Sequence, residues 1–142
     1  MKLMMPIYMI FISSFIIQYL MSYIMTYRAA DITITLDKIY MATIMGLAMV
    51  VVDITAHSFN LTKITPFLIG LLFVIFLYKY QIGIDDENYV KEMIEHHSMA
   101  LLTSNEIIKK SANPYVTDIA QRIISTQEKE ISEMRNILKM LD

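Results

Sequence analysis

From Met4 to Met25 the chain carries no charge, and only Ser13, Ser14, Gln18 and Ser22 interrupt its apolar run. A helix of that length covers about 30 Å of hydrocarbon, enough for one membrane crossing. Two more apolar runs follow, Ile39 to Val52 between Lys38 and Asp53, and Ile64 to Tyr78 before Lys79. Both fall at or below the short end of the ~17–25 residues of a spanning helix, so flanking residues must join them if they cross. Packed as soluble core they would need a polar covering layer, which residues 28–63 do not supply. The expectation is three transmembrane helices within residues 1–84.

A cleaved signal peptide fits the first run poorly. Its apolar stretch exceeds the ~7–15 residues of a signal core, and Met25, Thr26, Tyr27, Arg28 offer no small-residue cleavage site. Lys2 and Lys63 fall on one side of the bilayer and Arg28, Lys38 and Lys79 on the other, which leans slightly towards an N-outside orientation. Tyr8, Tyr19, Tyr23, Tyr27, Tyr40, Tyr78 and Tyr80 lie towards the ends of the runs, as an interfacial belt does. Met41, Met45 and Met49 share one helix face; they read as packing filler before a Cu(I) path, and Asp53 reads as an interfacial boundary.

Composition narrows the function classes. Of 142 residues 56% are apolar and 18% charged, with a mean hydropathy of +0.48, too apolar for an ordinary soluble domain. Three glycines and three prolines leave few turns for a sandwich of short strands. The absence of cysteine excludes disulfides, thiolate metal sites and a cysteine nucleophile. A net charge of −2 with signs interspersed gives no nucleic-acid footprint.

Most of the charge lies in residues 85–142, which read as a helical hairpin. Asp85 and Asp86 open an amphipathic stripe through Tyr89, Val90, Met93, Ile94, His97, Ala100, Leu101, Ser104, Ile107 and Ile108, and Lys109 and Lys110 close it. Asn113 is placed to cap a second helix with Pro114 in its first position, and that stripe continues through Ile119, Ile123, Gln127, Ile131 and Met134 to Leu141. So short a loop makes the helices antiparallel. Folding about residue 112 sets His97 opposite Gln127 and Met134 opposite Val90. The first pair reads equally as a hydrogen bond that fixes helix register.

Side chains three or four apart on a helix share a face, so Met93 with His97, Met93 with His96, and His96 with Met99 are each spaced to clamp one ion. Imidazole suits copper and thioether sulfur selects Cu(I) over hard cations. Zinc-peptidase and di-iron spacings are absent, no phosphate-binding glycine loop occurs, and Ser98 and Ser104 lack a base. No enzyme is expected.

The run Asp86, Tyr89, Val90, Met93, Ile94, Glu95, His96, His97, Ser98, Met99, Ala100, then Asn113, Pro114, Ala120, Ile123, Ile124, Gln127, Glu130, Ile131 and Met134, resembles the domain of unknown function 305 family. The three hydrophobic segments ahead of it resemble a membrane-anchored branch. The resemblance implies a ferritin-like helical domain, found mostly outside the bacterial cytoplasm, with some members binding copper through His and Met side chains; Met93, His96, His97 and Met134 match the motif. Met99 stands where members vary, Glu95 replaces a proline, and Thr103 and Ser104 replace a Met-Ala pair.

Together these readings give an all-α chain: a multi-pass membrane domain over residues 1–84 and a helical hairpin domain over 85–142. The expected function is copper binding at Met93, His96, His97, Met99 and Met134, for sequestration or tolerance without turnover. The alternative is a structural module in which His97 and Gln127 only set register. The expected partners are the lipid bilayer and a second copy, joined through the hairpin into a four-helix bundle.

Overall fold

The computed structural model describes residues 6–57 and 59–141. Five α-helices follow in chain order: α1 (Ile7–Met25), α2 (Leu36–His57), α3 (Leu61–Lys79), α4 (Asp86–Ile108) and α5 (Pro114–Leu141). A short 3-10 turn lies at Ala29–Asp31, and no strand occurs among the described residues. The first three helices are long and apolar enough to cross a membrane.

The second and third spans outrun their apolar segments, reaching 22 and 19 residues. Helix continues through flanking polar residues because those residues find partners of their own. Lys38 lies with its ammonium 5.6 Å from the centroid of the Tyr19 ring. Asp37 Oδ1 accepts from Gln81 Nε2 at 3.1 Å, and Tyr40 donates its hydroxyl to the Ile82 carbonyl at 2.7 Å.

The chain divides into two compact units. The first comprises residues 1–21 and 36–84, where α2 and α3 pack together and Ile10, Val50, Ile54 and Ile64 form a buried cluster flanked by Phe11, Val51 and Phe67. Gly46 is required there. A β-carbon at that position would stand 2.8 Å from the Phe11 ring and 3.2 Å from its carbonyl oxygen.

The second unit comprises residues 22–35 and 85–142. Its core is the α4–α5 seam, with Val90, Ile94, Leu101 and Ile131 buried and Ile124, Met134 and Leu138 packed on them. The segment between α1 and α2 lies along this hairpin as a strap. Asp31, wholly buried, accepts from Ser98 Oγ at 2.7 Å and pairs with Arg135. Thr33 donates its N–H at 2.9 Å and its hydroxyl at 3.1 Å to Glu95 Oε2. Thr35 donates to Glu92 Oε2 at 2.6 Å, and Arg28 pairs with Glu128 at 2.8 Å.

The strap constrains α2 and α3 as a pair. Residues 26–35 and 85–142 are hydrogen-bonded to each other and only α2 and α3 lie between them, so both of those helices cross a bilayer or neither does.

Candidate metal centre

Local capping sets the start of α4. Asp85, in extended backbone conformation, accepts the Asn88 backbone N–H at 2.8 Å and its side-chain amide at 2.7 Å. These bonds, the backbone one foremost, hold the Asp85 carboxyl below the ordinary carboxylate range. A lowered folded-state pKa means the cap stabilises above the unfolded-state pKa and its contribution is lost as pH falls through the folded value. Asp85→Ala is expected to lower the thermal midpoint at pH 7, with the difference closing as pH falls below about 4; circular dichroism melts across that range check it. Asn113 caps α5 as expected, its Oδ1 accepting from Tyr115 N at 2.9 Å.

Within the hairpin, Met93, His97 and Met134 line one cavity of about 300 Å³, together with Tyr89, Glu130 and Glu133. The expected fold about residue 112 set Met134 two turns from His97; the two nevertheless line the same cavity. His97 Nε2 meets Glu130, one turn beyond Gln127 on α5. Gln127 Nε2 donates to the same Glu130 Oε2 at 3.4 Å, so the expected His97–Gln127 pair is bridged by a carboxylate.

Both nitrogens of His97 are engaged. Nδ1 lies 2.6 Å from the Met93 carbonyl oxygen and Nε2 lies 2.9 Å from Glu130 Oε2. A carbonyl only accepts, so Nδ1 carries a proton and its bond fixes the ring; Nε2 is held by Glu130, and a metal at that nitrogen would have to displace the carboxylate. Glu130 is the functional candidate that spacing did not single out. Its signal was its place one turn beyond Gln127 on the same stripe.

His96 and Met99 are not brought to this cavity. His96 is half exposed, with its Nε2 3.1 Å from Glu92 Oε1. Met99 follows His97 by two residues and so faces about 200° away around α4. Among the described residues no group of three or more His, Cys, Asp or Glu is placed to hold a metal ion. The cavity is lined by two thioethers, one imidazole and the carboxylates of Glu130 and Glu133. The two thioethers are what favours a soft monovalent ion over a hard cation there.

The family comparison agrees with this geometry in extent. Residues 86–142, the whole of α4 and α5, match the family described as Domain of unknown function (DUF305). A curated relative, Uncharacterized protein L153 of Acanthamoeba polyphaga mimivirus, is 35% identical over 112 residues, which cover 76% of this chain and 74% of the relative. The chain belongs to the domain of unknown function 305 family. The aligned stretch is longer than the hairpin, so the likeness to that relative takes in part of the first unit too. No solved structure matches the chain.

Proposed function

We propose that this DUF305 chain is a membrane-anchored protein whose hairpin holds a copper ion in its reduced state, for sequestration or tolerance without turnover. The observation that carries the reading is the single cavity lined by Met93, His97 and Met134. Bound there, Cu(I) supplies affinity for sulfur donors and no acid–base chemistry. Met93 and His97 contribute from successive turns of α4, and Met134 closes from α5. Glu130 and Glu133 give the mouth negative charge, which raises the local concentration of cations. His96 and Met99 take no part. Following the family resemblance, we place the hairpin outside the cytoplasm; a C-terminal tag accessible in intact cells tests that side.

Competition titration of the full chain in detergent against a Cu(I) chelator tests the reading. His97→Ala is expected to weaken binding by at least tenfold, and His96→Ala by less than twofold. Equal losses from both variants, or no binding by the parent chain, would reject it. A second reading has its own support, since Glu130 already engages His97 and Gln127. In that reading the three residues are a register-setting network. It predicts no Cu(I) binding and a marked fall in thermal midpoint for Glu130→Ala.

A further inference from the structure

α2 runs one turn past Asp53, to His57, so the acid expected at a boundary lies inside a helix long and apolar enough to cross a membrane. There it borders a cavity of about 440 Å³ within the first unit, a size in the range of small-molecule sites. Ile10 and Ile17 of α1 and Val52 and Ala56 of α2 give the cavity apolar walls. The same lining carries a small polar set, Ser13 and Ser14 from α1 and Asp53 and His57 from α2, with the thioether of Met49 completing it. Ionisable side chains in a membrane span are rare, and where they occur they pair with something. Two such groups fall short of a metal centre, and among the described residues no third His, Cys, Asp or Glu joins them.

The hydrogen-bonding inventory of the polar set is lopsided. His57 Nδ1 lies 3.0 Å from Asp53 Oδ1 and 3.0 Å from the Asp53 carbonyl oxygen. An ionised carboxylate and a carbonyl only accept, so Nδ1 carries a proton, and Nε2 of the neutral ring is an acceptor. Ser13 donates its hydroxyl to the Ile10 carbonyl at 3.1 Å, which leaves its oxygen free to accept. Ser14 is only 9% exposed, and its hydroxyl has no partner among the described residues. Asp53 has no Lys or Arg partner among them either. An apolar cavity that presents a carboxylate, an imidazole nitrogen and two hydroxyl oxygens is short of donors and of positive charge. We infer that it takes the head of an amphiphile bearing a primary ammonium. An alkylammonium brings three donors, no acceptor and one positive charge, and its chain suits the isoleucine and valine walls. A quaternary ammonium has the charge without the donors and leaves Ser14 and His57 unmet. An aminophospholipid headgroup and a free long-chain amine share the required chemistry. The site rests on the membrane reading and not on the copper one.

The test uses the full chain in nanodiscs of phosphatidylcholine with a minor share of phosphatidylethanolamine, released and weighed by native mass spectrometry. The chain is expected to retain phosphatidylethanolamine about tenfold above its share of the bilayer. Asp53→Asn should abolish that preference and Ser14→Ala should reduce it about fivefold, whereas Met45→Leu, on the same helix but not lining the cavity, should leave it unchanged. Dodecylamine should displace the retained lipid, and dodecyltrimethylammonium, with the chain and charge but no N–H, should not. Dodecylamine binding without a preference between the phospholipids would also support the inference and make a free amine the source. Equal retention of the two phospholipids with no dodecylamine binding would overturn it, as would equal binding of the two amphiphiles or a preference that survives Asp53→Asn. If Asp53→Asn does not fold, the two amphiphiles compared on the parent chain decide. A chain that does not enter nanodiscs at all would reject the membrane reading, and the site with it.

Discussion

Arg135→Met is expected to cost the hairpin unit about 3 kcal/mol and to release the strap. The change strips Asp31, which is wholly buried, of its cationic partner and leaves Ser98 as the hydroxyl donor to its carboxylate. Breaking a buried ion pair from one side costs about 3–5 kcal/mol because the remaining charge is uncompensated. The lower end applies here, since the Arg135 side chain is 41% exposed and water screens the pair. Adding Asp31→Asn should recover most of the loss, because a neutral amide still accepts from Ser98 without a charge to desolvate. Denaturant unfolding in detergent gives the energies. Hydrogen exchange gives the location: the Tyr27 and Thr33 amides, bound to Ser98 and Glu95, should lose protection in Arg135→Met while those of α2 and α3 keep theirs.

The double variant Met93→Leu, Met134→Leu is expected to bind Cu(I) about 100-fold more weakly than the parent chain while folding normally. Leucine conserves the volume and apolarity of methionine, so the seam should keep its packing at a cost below about 1.5 kcal/mol. What is lost is the sulfur pair, and with it the preference for a soft ion. Competition titration reads the affinity and a thermal melt the fold. An unchanged affinity would remove both thioethers from the ligand set.

How much of this was legible beforehand depends on whether the controlling interaction is local. The uncharged run ending at Met25 and the 3.6-residue stripes of α4 and α5 are local patterns, and they gave three spans and a hairpin. Asn113 and Pro114 gave the start of α5 for the same reason. The His97–Glu130 contact was missed, because how far a glutamate reaches along the facing helix is not encoded in side-chain periodicity. The strap was invisible: Asp31, Thr33 and Thr35 show no periodicity, and their partners Ser98, Glu95 and Glu92 lie 57 to 67 residues away. Glu95 faces inward on α4 and is almost wholly buried, off the apolar stripe, so its need for a donor from elsewhere in the chain shows only in the structure.

The arrangement also explains why His96 and His97, adjacent in sequence, have different roles. Neighbours on a helix diverge by about 100°, so one imidazole enters the seam and the other meets Glu92 at the surface. The ligand set is most directly tested by X-ray absorption at the copper edge on the full chain loaded with one equivalent of Cu(I). Two sulfur scatterers and one imidazole nitrogen in the first shell are predicted, falling to nitrogen and oxygen alone in Met93→Leu, Met134→Leu. A parent spectrum with nitrogen and oxygen neighbours and no sulfur would contradict the assignment.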